Sequence, residues 1–503
     1  MNLLAQVPSG GPLRPLDLPD VEYSAMAPAL ILIGGALLAL LVVSLVRRPP
    51  PWLWCVLTLA TGAAAGAASL WLWFDVRDDG PVRAVADALV VDGFAVFFMV
   101  LISTTVILGA LLGHGFLERE GVKGPEFYVL MMLSASGGIF MASANDLIVV
   151  FLGLEILSIA LYVLAGFQGR RSESREAAMK YFVLGAFSSA LFLYGIALVY
   201  GATGSTNLVS VGQFLAGNVA TSNGVLLAGM VLLLVGLGFK VAVVPFHTWT
   251  PDVYQGSPSP VTGFMAAAAK AAGFSALLRI FFSTFSTLRL DWQPVIWVLA
   301  VVTLLVGSVL ALVQTDVKRM LAYSSISHAG YVMIGLQAAS ARGIAGSLFY
   351  LLAYTFMVLG SFAIVTVVGR RGDARHGLED YRGLAAQRPA LALAFAVFLM
   401  AQAGVPFTTG FLAKFYVISA AVESESYALA LIGMISAVVA AFFYLRLIVL
   451  MYTPRADGQP APTPLRLPVS HGLALGVAVV FTVGFGLLPS AMIHFARQAT
   501  LLL

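Results

Sequence analysis

The 503-residue chain is 60% hydrophobic and only 10% charged, whereas a soluble globular domain carries about 25% charged residues. A net charge of +4 and a pI near 9.1 would suit nucleic acid, but the basic residues lie in short loops between apolar stretches, which is a membrane-topology pattern. A single cysteine, Cys55, sits in an apolar stretch and excludes a disulfide framework or a cysteine-ligated metal centre.

The first twenty residues, MNLLAQVPSGGPLRPLDLPD, lack a basic stretch followed by a short apolar run and so do not read as a cleaved signal peptide. Beyond them, apolar runs of the length a helix needs to cross a bilayer, about 20 residues, predict fourteen segments. They cover 26–46, 52–74, 88–113, 126–143, 146–168, 177–202, 225–247, 258–284, 292–314, 319–338, 343–369, 389–421, 426–452 and 470–495. The expected fold is an all-α polytopic membrane protein. The fourth and fifth segments nearly run together, and the twelfth is interrupted at Gly404-Val405-Pro406.

An even number of crossings puts both termini on one side. One set of loops holds sixteen basic residues, among them Arg47, Arg48, Arg119, Arg170, Arg171, Lys318, Arg319, Arg370, Arg371 and Arg388. The opposite set, with both termini, holds six: Arg14, Arg77, Arg83, Arg289, Arg342 and Arg497. The positive-inside rule therefore places the richer set inside and both termini outside.

Four of the six lysines lie within the apolar segments, as does Glu155. Lys240, Lys270, Lys414 and Glu155 fall near segment centres, where each ammonium costs about 2.5–3.5 kcal/mol unless it is paired, hydrated or neutral. Such a cost points to proton or ion movement. The tripeptide Val-Pro-Phe occurs at Val244-Pro245-Phe246 in the seventh segment and at Val405-Pro406-Phe407 in the twelfth. Proline breaks a helix, and in lipid the freed backbone groups must be met by protein or water. The two sites are five segments apart, hence in oppositely directed helices. Interrupted helices at matching positions of inverted halves mark a transport pathway.

Each residue has a plainer reading beside the functional one. Ser158 and Tyr162 continue a polar stripe from Glu155 along one helix face, which fits a hydrated site with Lys240 as partner; helix–helix adhesion is the alternative. Lys240 serves either as a relay or as a structural counter-ion of Glu155. Lysine suits the first role, because its proton affinity falls on burial while arginine stays charged. Lys270, among alanines and Gly273, either borders ordered water or snorkels from a tight helix contact, and Lys414, one turn after Gly410, has the same two readings. His328, with Ser324, Ser325 and Tyr331 one turn away, fits a relay between Lys270 and Lys414 or a hydrogen-bonded core histidine. Lys180 lies one turn after Glu176, so a helix-end ion pair competes with conduction. His247 and Asp252 line a mouth after the first break or cap and turn the chain. The polar 370–388 loop offers a contact for a soluble partner or for lipid headgroups.

Four runs resemble one family: HTWTPDVYQGSPSPVT from His247 to Thr262, FLGLE ending at Glu155, AYSSISH ending at His328, and GFLAK ending at Lys414. They are similar to the proton-pumping, antiporter-like subunits of respiratory complex I. Tyr254 and the SPSPV run bring the chain nearest the N-type members, the bacterial counterparts of mitochondrial subunit 2. A lysine at 414 and the lack of a long lateral helix after the fourteenth segment set it apart from the M and L types. The resemblance implies two inverted five-helix repeats, residues 126–284 and 285–452, preceded by 1–125 and followed by 453–503. It also implies proton translocation by Glu155, Lys240, Lys270, His328 and Lys414 in the bacterial cytoplasmic (inner) membrane, beside other membrane subunits of complex I. No dinucleotide, phosphate-loop, cluster or zinc motif occurs in the chain. The resemblance therefore places flavin, iron–sulfur clusters and quinone on other subunits, with no cofactor, metal or nucleic acid here. Two alternatives share these features: a subunit of a multisubunit cation/proton antiporter or membrane-bound hydrogenase, and a stand-alone secondary transporter.

Overall fold

All fourteen predicted segments are helical in the computed structural model, which describes residues 21–218, 223–455 and 465–499. Arg14 and the N-terminal stretch discussed above lie outside those residues. Spans 1 to 6 are Tyr23–Leu45, Trp52–Asp79, Gly93–Glu120, Glu126–Ser143, Leu147–Ala165 and Ser172–Thr203. Span 7 is split into Asn223–Val241 and Trp249–Gly256, and span 8 runs through Ser259–Thr284. Spans 9 to 11 are Arg289–Leu312, Val317–Gln337 and Ala341–Val368. Span 12 is split into Pro389–Ala403 and Thr409–Glu423, span 13 is Tyr427–Tyr452, and span 14 is Val469–Leu487 followed by Ser490–Gln498.

Twelve of the described helices are long and apolar enough to cross a membrane. Spans 10 and 12 complete the fourteen. Span 10 is too polar for that measure because it carries Lys318, Arg319, three serines and His328 on one helix, and span 12 is divided into two 15-residue halves. Spans 8 and 11 are wholly enclosed by their neighbours, so they form the axis around which the others pack.

The same construction recurs five spans apart. Asp146 caps span 5 by accepting from Ile148 N at 2.8 Å, and its backbone pairs in antiparallel fashion with Asn207 after span 6. Asp316 caps span 10 by accepting from Arg319 N at 2.9 Å, and its backbone pairs likewise with Gly377 after span 11. The broken spans 7 and 12 are also five apart. An odd number of crossings reverses direction, so these are two inverted five-helix repeats.

Close helix approach rests on glycine where backbones touch. A Cβ on Gly137 of span 4 would lie 2.6 Å from Leu157 N of span 5, and one on Gly307 of span 9 would lie 2.6 Å from Ser327 N of span 10. Neither position leaves room for a side chain.

Several elements were not foreseen. The third segment, expected from 88, starts at Gly93 because Val82–Ala84 and Leu89–Val91 form a small antiparallel hairpin. A short helix, Leu208–Gly217, precedes span 7. Span 8 contains two π-helical turns, Met265–Ala269 and Ile280–Thr284, and Lys270 follows the first directly. Single π turns inside α-helices are frequent at functional sites.

Two buried ion pairs tie the spans together. Arg279 of span 8 meets Asp92, the cap of span 3, through two hydrogen bonds of 2.9 and 3.0 Å, donates to Ala142 O at 3.0 Å, and lies over the Phe94 ring. Asp373, in the 370–388 loop, accepts from Ser259 N (2.9 Å) at the start of span 8 and from Lys318 Nζ (3.2 Å) at the start of span 10. His376 and Ser259 Oγ contact the same carboxylate. Burial alone would raise the pKa of Asp373, but the Lys318 ammonium, with His376 and Ser259, holds it well below the ordinary carboxylate range. Asp373 thus anchors that part of the loop to spans 8 and 10.

Replacing Asp373 by alanine leaves Lys318, which is fully buried, without its counter-charge. The expected cost is about 3–5 kcal/mol, measured as loss of folded chain on thermal challenge of solubilised membranes.

Candidate functional site

Both helix breaks occur where expected, and side chains bond backbone groups at each. Span 7 stops at Val241, and residues 242–248 are non-helical, with Ala242 at φ 63°. Phe239 O accepts from Ala242 N at 3.1 Å in the closing turn and also from Trp249 Nε1 at 2.9 Å, and Val244 N donates to Thr303 Oγ1 of span 9 at 3.0 Å. Span 12 stops at Ala403, and the chain turns through Gly404 (φ 96°) and Phe407 (φ 67°) before Thr408 caps the second half by accepting from Phe411 N. Gln402 O and Ala403 O, freed by that break, accept from Lys414 Nζ at 2.8 and 2.9 Å. The second break therefore creates the site for the lysine that follows it.

Lys270 is 11 residues along span 8 and His328 is 11 residues along span 10. At 1.5 Å per residue, each lies about 16 Å from its helix start, near the middle of a ~30 Å hydrocarbon layer. Lys270 is 3% exposed; its Nζ donates to Ser325 O of span 10 at 2.5 Å and faces the Tyr354 ring of span 11 at 5.8 Å. His328 lies against the same ring, with centroids 4.9 Å apart. Its Nδ1 is 2.6 Å from the Tyr350 hydroxyl, and its Nε2 is 3.3 Å from the Tyr444 hydroxyl.

The Tyr444 hydroxyl also bonds Ser324 Oγ. Ser324 Oγ in turn donates to Gln402 Oε1 at 3.4 Å, and the backbone carbonyl of Gln402 receives Lys414. Lys414 Nζ stands 4.8 Å over the Tyr331 ring. Lys270, His328 and Lys414 are thus joined by a run of aromatic, hydroxyl and amide groups from spans 8, 10, 11, 12 and 13.

The first repeat is arranged differently. Lys240, 4% exposed, donates from Nζ to Ser158 Oγ of span 5 at 2.8 Å and to the Tyr181 hydroxyl of span 6 at 3.2 Å. The direct Glu155 partnership expected from the sequence is not formed: among the described residues no ion pair joins the two. Ser158 and the Tyr181 hydroxyl occupy the ammonium instead, while Glu155 Oε1 is buried without a hydrogen-bond partner. Its neighbours Leu152, Ile156 and Ile159 are exposed, so Glu155 lies on an outer flank of the chain. Lys240 approaches Lys270 through packing: a Cβ on Gly273, one turn past Lys270, would be 3.3 Å from Lys240 Cγ.

Lys180 takes the ion-pair reading, meeting Glu176 at 2.8 Å and also Asp252 at 2.6 Å. Sequence reasoning missed Tyr181, Tyr350, Tyr354, Tyr444 and Gln402. Their only signal was a polar atom inside an apolar run, and fully buried tyrosines are common enough that this does not single them out. Among the described residues, no group of three or more His, Cys, Asp or Glu side chains is placed to hold a metal.

Residues 144–440 match the family model described as NADH:quinone oxidoreductase/Mrp antiporter, TM. NADH-quinone oxidoreductase subunit N of Trichlorobacter lovleyi is 41% identical over 97% of this chain and 96% of its own length. The subunit N of Chloroflexus aggregans is 40% identical over 97% and 99%. Among solved structures, a chain of respiratory complex I from Thermus thermophilus with bound aureothin matches with a TM-score of 0.78 and 34% identity, covering 93% of this chain and 98% of that one. A chain of the Mrp complex from Dietzia sp. DQ12-45-1b shares the fold, with a TM-score of 0.84 at 21% identity over 94% and 96%. Together with the paired breaks and the buried lysines, these likenesses show that the chain belongs to the antiporter-like membrane subunits of NADH:quinone oxidoreductase, in the N-subunit branch.

Proposed function

We propose that the chain translocates protons as the N-type membrane subunit of a bacterial NADH:quinone oxidoreductase, in the inner membrane beside other membrane subunits. The observation that carries this reading is the run from Lys270 and His328, which share the Tyr354 ring, through the hydrogen bonds of Tyr444, Ser324 and Gln402 to Lys414. Its two lysines and its histidine can give and take protons, and they are held where an idle charge would only be a cost. The repeats run from 126 to 284 and from 285 to 452, with 1–125 and 453–503 flanking them, and both termini face outside. Flavin, iron–sulfur clusters and quinone reside on other subunits.

In this reading Lys240, Lys270, His328 and Lys414 hold the proton in turn. Hydroxyls and the Gln402 amide orient the donors, and water completes the steps between groups that do not touch. Glu155, on the outer flank and not fully hydrogen-bonded, faces a neighbouring subunit. Its charge biases Lys240 electrostatically without contact, since opposite charges interact strongly over several ångströms at low dielectric. Redox energy released elsewhere enters the chain as a change in that field. A chain of a multisubunit antiporter assembly shares the fold at only 21% identity, against about 40% for the N subunits; a solute transporter would show transport by the isolated chain.

Lys240→Ala is expected to leave the complex assembled in normal amount and to abolish most proton pumping coupled to quinone reduction, measured in membrane vesicles. Full pumping in that variant would remove Lys240 from the path. Tyr444→Phe deletes the hydroxyl shared by His328 and Ser324. Losing its two hydrogen bonds, about 1 kcal/mol each, should slow proton transfer about thirtyfold, while Tyr427→Phe, at an exposed site, should change nothing.

A further inference from the structure

The face that carries the basic loops has a polar cavity of about 440 Å³, lined by Glu176, Lys180, Asp252, Gln255, Asp316 and Arg319 among others. At its floor Asp252 bridges two cations, Lys180 Nζ of span 6 at 2.6 Å and Arg319 Nη1 of span 10 at 2.6 Å. Arg319 also donates to Gln255 Oε1 at 3.2 Å. The three side chains are 34, 42 and 31% exposed respectively, so solvent reaches them.

One residue inward the surroundings change completely. Tyr181, next to Lys180, is fully buried, and its hydroxyl accepts from Lys240. Trp249, three residues before Asp252 on the same short helix, lies flat on Tyr181, with centroids 4.5 Å apart and planes 8° from parallel. Trp249 Nε1 is fastened to Phe239 O, one residue before Lys240. The second half of span 7 thus bears Trp249 at its start, packed on the tyrosine that bonds Lys240, and Asp252 one turn on, held by the bridge.

We propose that the Lys180–Asp252–Arg319 bridge is the latch of a proton inlet. Closed, it holds the half-helix so that Trp249 and Tyr181 separate Lys240 from the cavity; released, it lets the half-helix shift and water reach Lys240. Asp252, Arg319 and Trp249 are positioning residues that act on access to Lys240, and the proposal rests on the translocation reading above.

Exposure distinguishes the latch from a permanent tie. Lys318 and Arg319 are adjacent on span 10, yet Lys318 is locked with Asp373 in a fully buried cluster, whereas the half-exposed Arg319–Asp252 pair is solvated once released and so breaks at a lower cost. The latch also spans the two repeats, because Arg319 begins the helix that carries His328 nine residues on. A shift of span 10 that accompanies proton transfer at His328 would therefore move Arg319 and open the inlet of the other repeat.

The test uses the assembled complex in vesicles with the basic-loop face outward, in a Cys55→Ser background. A cysteine replacing Ser158, which touches Lys240, is modified with a membrane-impermeant thiol reagent. Slow modification is expected with the latch intact, and acceleration of about tenfold with Asp252→Asn, the population shift that a loss of ~1.4 kcal/mol produces. Trp249→Ala should accelerate it as well, with the bridge intact. Where Asp252→Asn lowers assembly, Arg319→Gln is read in the same way. Rapid modification with the latch intact, or an unchanged rate in both the latch and the Trp249 variants at normal amounts of complex, overturns the proposal. Labelling needs no turnover, so failure of the latch is distinct from failure of the translocation reading, which pumping by Lys240→Ala decides.

Discussion

Lys240, Lys270 and Lys414 each place an ammonium where lipid offers nothing to bond, and much of the architecture follows from that. Lys414 takes the two carbonyls that the break in span 12 releases. Lys270 takes Ser325 O from span 10, and Lys240 takes two hydroxyls from spans 5 and 6. Each ammonium also stands over a tyrosine ring, whose negative face gives further stabilisation without adding a fixed charge. Neutral acceptors of this kind hold a proton less firmly than a carboxylate does. A group held so can give its proton up.

The cations with a structural role are paired differently. Arg279 has Asp92 and Lys318 has Asp373, both in fully buried contacts. Removing one partner of such a pair is severe because the other stays charged in a dry environment. These pairs fix the ends of spans 3, 8 and 10, and so define the frame within which Lys270 and His328 both lie against Tyr354. The chain thus contains two classes of buried cation: those matched by carboxylates hold the fold, and those matched by carbonyls and hydroxyls line the candidate path.

The breaks serve both the fold and the path. An unbroken span 12 would spend Gln402 O and Ala403 O on its own next turn, leaving Lys414 without acceptors. In span 7 the break lets Trp249 reach Phe239 O beside the turn and brings the following half-helix against span 10, where Asp252 reaches Arg319. The same local event, a Val-Pro-Phe tripeptide in an apolar helix, therefore yields a lysine site in one repeat and a hinged half-helix in the other. The difference arises because Lys240 precedes its proline whereas Lys414 follows its own.

The sequence by itself determined the fourteen spans, the two breaks, and Lys240, Lys270, His328 and Lys414 as the residues of interest. A bilayer makes these legible, because it penalises every unsatisfied backbone group and every charge, so a proline or lysine in an apolar run is conspicuous without knowledge of its neighbours. Only the tertiary structure decided what those residues touch. Lys240 meets Ser158 and Tyr181 rather than Glu155; His328 reaches Lys414 through Tyr444 and Gln402; Arg279 finds Asp92 187 positions away. Tyrosine, glutamine and serine in an apolar helix carry no mark of the partner they bond, since that depends on helix rotation and crossing, which the packing of all fourteen spans sets together.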